Sequence, residues 1–153
     1  MKGSVMTRKI AGGFALVVLG LVGIVAAVAI PAYDEYTVRS RVSELVNAAG
    51  RCKAAVTEFY FIHGRLPVSA VEAGCPEWVT PNANPLAVFN GEVIVQAVGT
   101  LAARLGARNI FAFRAVCDGS CDGAPIKAWI CAPSGPLNSS TTILPKYLPS
   151  YCR

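Results

Sequence analysis

Charge is scarce in this chain. Asp, Glu, Lys and Arg make up 15% of the 153 residues, against 54% hydrophobic residues. That balance excludes a disordered chain and is unusual for a small soluble enzyme. There is a single histidine, His63, at the end of a helical stretch, where capping or surface exposure explains it better than catalysis. The sequence also has no Gly-Lys-Ser/Thr phosphate loop, no His-Glu-x-x-His pair and no Gly-x-Ser-x-Gly elbow. We therefore assign no catalytic, cofactor-binding or metal residue and expect no enzyme. A general basic field is missing too. The formal charge is +5, but without Lys2, Arg8 and Lys9 only 11 basic residues face 9 acidic ones. Nucleic-acid binding through overall charge has little support.

What the chain does have is one long uncharged run. The 24 residues from Ile10 to Tyr33 carry no charge, with Lys9 on one side and Asp34 and Glu35 on the other. As a helix this run spans a hydrocarbon core of about 30 Å. The basic side should stay in the cytoplasm and the remainder outside. A cleaved secretory signal would have a shorter apolar core and a break after it; here a helix-forming segment follows directly.

That segment carries a stripe. Val38, Val42, Leu45, Ala49, Cys52, Val56 and Phe59 recur at alternating spacings of 4 and 3, between the polar Arg39, Arg41, Glu44, Arg51 and Glu58. The pattern predicts one packed face of a helix. Gly64 and Pro67 supply the stop, and Pro31 inside the run should kink or loosen it. The expected helix has about 50 residues and a length of roughly 75 Å. Its first half is apolar all round and has nothing in its own chain to pack against.

Beyond Pro67 the periodicity changes. Pro81-Asn82-Ala83-Asn84-Pro85 and Asn90-Gly91 read as turns. Val93–Val95, Ile110–Phe113 and Ile126–Cys131 read as strands of a short antiparallel sheet packed on the stripe. Residues 97–108 fit a strand or a short helix. Pro133–Arg153, with its prolines, reads as a loop over the sheet. Asn138-Ser139-Ser140 has the pattern of a glycosylation sequon, which arises readily by chance. Cysteines stand at 52, 75, 117, 121, 131 and 152. Their even number points to disulfides and an oxidising compartment, in agreement with the orientation above. Cys117-Asp118-Gly119-Ser120-Cys121-Asp122-Gly123 has the wrong spacing for a zinc knuckle and too few aspartates for a calcium loop, so a disulfide-clipped turn is the better reading.

Gly23-Ile24-Val25-Ala26-Ala27-Val28-Ala29-Ile30-Pro31-Ala32-Tyr33 closely resembles the membrane helix of type IV pilins. Asp34 to Glu44 resembles that family's next segment. Trp129-Ile130-Cys131 with Lys146-Tyr147-Leu148-Pro149-Ser150-Tyr151-Cys152-Arg153 resembles the strand and terminal cystine loop of Gram-negative pilins. These matches frame the chain, while residues 76–116 match loosely. The resemblance implies an α+β pilin fold: a long N-terminal helix, membrane-spanning in its first half, on a small antiparallel sheet. It divides the chain into a leader-like segment 1–13, a transmembrane half 14–33, an amphipathic half 34–63 and a disulfide-stapled head 64–153. It further implies a structural subunit, held in the inner membrane by a single pass before assembly and lying in an extracellular pilus afterwards. The implied partners are other subunits in a homopolymer, the inner membrane, a prepilin peptidase and the pilus assembly machinery, with a host surface or DNA as targets in adhesion, motility or DNA uptake. A minor pilin or a pseudopilin of a secretion machine is the alternative.

By the same resemblance, cleavage falls between Gly13 and Phe14, giving a methylated Phe14, and Cys131 pairs with Cys152. The family's glutamate after the cleavage point is missing here; alignment without gaps from Pro31 would place the leader glycine at Lys9 and the glutamate at Phe14. Of the remaining cysteines, Cys52 on the stripe can meet Cys75 where the chain folds back, and Cys117 can meet Cys121 across a Gly-Ser turn. A rival map joins Cys117 to Cys131 and Cys121 to Cys152.

Overall fold

The computed structural model describes the backbone of residues 3–77, 79–133 and 139–153, and the side chains of these from Val17 onward. The first element, α1, runs from Gly3 to His63. It is longer than the expected 50 residues because it takes in most of the segment 1–13; the first proline is Pro31, which lies inside the helix. The chain divides into two compact units, Met1–Thr37 and Val38–Arg153.

In the first unit the described side chains from Val17 to Tyr36 are exposed, apart from the half-buried Ala26. Thr37 returns its hydroxyl to the Tyr33 carbonyl (2.9 Å), so its polar group is satisfied within the helix.

In the second unit the stripe is buried: Val38, Val42, Leu45, Ala49, Cys52 and Val56 all lie in the core. At the last turn burial passes from Phe59, half-buried, to Tyr60. A spacing of 4 and 3 averages 3.5, and a straight helix of 3.6 residues per turn drifts off it. The helix ends where Gly64 turns to φ +67° and returns its N–H to the Tyr60 carbonyl (2.8 Å), a left-handed cap that glycine adopts without strain.

The sheet has four antiparallel strands in sequence order: β1 (Ala87–Phe89), β2 (Glu92–Gln96), β3 (Ile110–Cys117) and β4 (Ile126–Ile130). β1 has three residues, too few to stand out as a strand in sequence. It joins β2 through Asn90-Gly91, both at positive φ (48° and 72°), the two-residue hairpin geometry that Asn-Gly favours. Between β2 and β3, residues 99–105 form a short helix, α2 (Gly99–Leu105), with Leu101 buried. Val93, Val95, Phe111 and Phe113 point from the sheet into the core with the α1 stripe. The two phenylalanine rings meet edge to face, 5.0 Å between centroids. The C-terminal segment has 3-10 turns at Pro145–Tyr147 and Ser150–Cys152, and places Ile143, Leu148 and Cys152 in the core with no exposure.

Candidate assembly surface and disulfide framework

Apolar side chains without cover mark the first unit. Leu19, Ile24, Val28 and Ile30 are each about two-thirds exposed, and Tyr33 and Tyr36 more so. The described part of the helix contains a window of mean hydropathy 2.1, none of it buried, long and apolar enough to cross a membrane. A helix that is apolar all round cannot be satisfied by water and needs lipid or other protein on every face. The expected processing pair, Gly13 and Phe14, falls within the span of α1; its side chains lie outside the described residues.

The head is tied by three disulfides, and no cysteine is free. Cys52 and Cys75 join with Cα atoms 4.7 Å apart, fixing the fold-back after α1 to the buried stripe. Cys131 and Cys152 join at 5.0 Å, holding the last turn against the end of β4. Cys117 and Cys121 join at 5.3 Å across the β3–β4 turn. In that turn Asp118 forms an ion pair with Lys127 (2.7 Å), and Ser120 donates weakly to Asp122 (3.4 Å). Among the described residues no group of His, Cys, Asp and Glu is placed to hold a metal ion. His63 is exposed, stacked on Phe59 at 4.1 Å, with Nδ1 3.0 Å from the Phe59 carbonyl.

One network escaped sequence reasoning. β4 pairs with β3 from Arg114 onward, so the start of β3 has no strand on that side. The C-terminal segment fills the gap, largely with side chains. The Thr141 hydroxyl accepts from the Ala112 N–H and donates to its carbonyl (3.0 Å each). Thr142 accepts the Ile110 N–H (3.0 Å) and gives its own N–H to the Ile110 carbonyl (2.8 Å). Ser139 bonds Thr141 (2.8 Å). Beside it, Glu92 accepts both the N–H and the hydroxyl of Ser140, the latter at 2.6 Å. Glu92, Ser139 and Thr141 are the buried polar side chains among the described residues, and all serve this one latch, as buried polar groups must be bonded. The sequon's Ser140 is thus engaged; its Asn138 lies outside the described residues. The only sequence signal was the cluster Ser139-Ser140-Thr141-Thr142, an unusual density of hydroxyls in an otherwise apolar segment.

A smaller clasp closes the loop after α1. Glu72 accepts from the Arg65 guanidinium (2.5 Å) and from the Val68 N–H (2.6 Å). The Arg65 bond first, and the Val68 bond second, hold its carboxyl below the usual carboxylate range.

The pilin family of bacterial filament proteins matches residues 38–153, the whole of the second unit. The type IV major pilin protein PilE1 of Neisseria gonorrhoeae is 49% identical over 59 residues, 39% of this chain and 36% of that protein. A fimbrial protein of Neisseria meningitidis is also 49% identical over 59 residues, 39% of this chain and 35% of its own length. The fimbrial protein EcpC of Eikenella corrodens is 36% identical over 99 residues, 62% of this chain and 61% of that protein. The chain thus spans about a third of the length of the Neisseria relatives it matches. Pilins are structural subunits and not enzymes. With an α-helix packed on a four-stranded antiparallel sheet, disulfides closing the head, and a family match over most of its length, the chain belongs to the pilin family.

Proposed function

We propose that the chain polymerises with copies of itself into an extracellular type IV pilus. The observation that carries this is the exposed apolar surface from Val17 to Tyr36. Before assembly it spans the inner membrane once, with the head outside; on assembly, neighbouring helices replace the lipid. In this reading residues 1–13 are a leader removed by a prepilin peptidase between Gly13 and Phe14. Residues 14–33 anchor, 34–63 support the head, and 64–153 form the fibre surface under the control of the pilus assembly machinery. That surface serves adhesion, motility or DNA uptake, with a host surface or DNA as its target. The three disulfide pairs form in the oxidising compartment that the head enters. Mass spectrometry of sheared surface filaments tests the reading: the chain should be their main component, starting at Phe14. A chain confined to the inner membrane with Met1 intact would contradict it.

One observation favours a second reading, a minor pilin or pseudopilin: no glutamate follows Gly13-Phe14. The Cys131–Cys152 loop weighs against a major pseudopilin. Filaments in which this chain is present at a few copies among another subunit would decide for the minor role.

A further inference from the structure

The three disulfides of the head differ in what surrounds their sulfurs. Cys131 and Cys152 are both buried. Cys52 has no exposure, and its partner Cys75 is half-buried. Neither Cys117 nor Cys121 is buried, and the turn around them exposes Asp118, Gly119, Ser120, Asp122 and Gly123. Thiol–disulfide exchange requires a thiolate to reach one sulfur while the other departs as a thiolate. Access to the first sulfur and the surroundings of the second therefore set the rate together.

Those two requirements separate the bridges. At Cys131–Cys152 both residues belong to the core, which blocks approach to either. Cys75 can be approached, since it lines a cleft of about 260 Å³ with Val71, Val79 and Leu86. Attack there drives Cys52 out as a thiolate among the buried side chains of the α1 stripe, where a charge is strongly disfavoured. Cys121 lines a second, open cleft of about 510 Å³ with Leu66, Val68 and Phe89. Attack there expels Cys117, which water can reach. The fold also tolerates this break. β3 and β4 pair up to Cys117 and Ile126 without help from the bridge. Beyond them the Gly123 N–H donates to the Gly64 carbonyl (2.9 Å) and the Tyr60 hydroxyl to the Ala124 carbonyl, so the far side of the turn stays seated on the end of α1.

We propose that Cys121 is a thiol-exchange site for low-molecular-weight thiols. The thiol enters the cleft as its thiolate and bonds to Cys121 Sγ as the Cys117–Cys121 bond breaks. Cys117 leaves as a thiolate and takes a proton from water. One disulfide is consumed and one is formed, so no outside oxidant or reductant is needed beyond the thiol itself. The product carries the thiol's substituent on Cys121, beside Leu66, Val68 and Phe89, and a free thiol on Cys117. Attack by Cys117 on the mixed disulfide releases the thiol and restores the bridge. The other two bridges keep the head folded throughout. This chemistry does not depend on whether the chain polymerises.

Timed exposure of the unaltered full chain to reduced glutathione, in detergent at neutral pH, tests this. After quenching with a maleimide and digestion, mass spectrometry should find glutathione on Cys121 and the maleimide on Cys117. Both should appear roughly tenfold or more faster than modification of any other cysteine. The exchanged protein should keep a cooperative melting transition, with faster hydrogen exchange confined to residues 118–122. Thiols appearing first at Cys52 and Cys75, or at all six cysteines together, would overturn the proposal. So would glutathione found mainly on Cys117, which would put the approach outside the cleft. A fragment of the untreated, unreduced protein linking Cys117 to Cys131, or no adduct on Cys121 until the head unfolds, would overturn it as well.

Discussion

Between Val17 and Tyr36 α1 leaves its leucines, isoleucines and valines in the open, whereas between Val38 and Tyr60 it buries them. Both stretches are helical and both are apolar. They differ in distribution. The second confines its apolar residues to one stripe and puts Arg39, Arg41, Glu44, Arg51 and Glu58 between them. The first carries no charge from Val17 to Tyr33 and so has no charged face before Asp34. A striped helix finds its partner within its own chain, here the inner face of the sheet, while an unstriped one must find it outside. The family match and the second compact unit both begin at Val38; from there on the helix packs within its own chain.

Substitutions that exchange the two environments should have the largest effects. Leu45→Asp, Val42→Asp or Val56→Asp buries an unpaired carboxylate at a fully packed site, at a cost of several kcal/mol, a large share of a domain's stability. The full chain in detergent should lose its cooperative melting transition. Ile24→Asp should leave that transition unchanged and instead weaken membrane insertion, by about 2.5–3.5 kcal/mol for a charge at the helix centre. Equal melting behaviour for Leu45→Asp and Ile24→Asp would erase the distinction between the halves.

Disulfide removal comes next. In the chain-entropy account the 21-residue separation of Cys131 and Cys152, and the 23-residue separation of Cys52 and Cys75, give about 3 kcal/mol each. The 4-residue separation of Cys117 and Cys121 gives about 2 kcal/mol. Cys152→Ser should therefore melt below Cys121→Ser. Peptide mapping of unreduced protein should yield no fragment linking Cys117 to Cys131; such a fragment would support the rival map.

Glu92→Gln should cost roughly 1–3 kcal/mol, because an amide nitrogen then faces the donors of Ser140 in a buried site. Hydrogen exchange should accelerate at residues 139–143 and the adjoining start of β3, and remain unchanged in the stripe of α1. Uniform acceleration across the head would mean that the latch is not a separate unit.

The smallest effect concerns Glu72. Its folded carboxyl titrates below its unfolded one, so its contribution to stability is present above the unfolded pKa and fades as pH falls through the folded value. Cleavage of the loop 65–75 by an acid-tolerant protease should rise as pH drops below the ordinary carboxylate range. Arg65→Ala should weaken this pH dependence.

The legible parts of the fold were those written as local patterns. The 4-and-3 stripe, the Gly64 stop and the Asn90-Gly91 turn each depend on neighbours a few residues apart, and the pattern carries them. β1 was not legible: three residues after Pro85 are too short to show an alternation. Residues 97–108 stayed open between strand and helix because an Ala- and Leu-rich stretch suits both; burial of Leu101 against the core decides for α2. The latch was illegible for a different reason. Glu92 and Ser140 are 48 positions apart, and only the return of the C-terminal segment along β3 brings them together. For the surface of assembly, the apolar run was plain in sequence.

Photocrosslinking from position 24 tests the central claim most directly. With a photoreactive residue in place of Ile24, the membrane-held subunit should crosslink to phospholipid. The same subunit in sheared filaments should crosslink to the helix of a second copy, doubling its mass. Crosslinks from Ile24 to its own head in both fractions would contradict the account, because the apolar half would then have found its partner within its own chain.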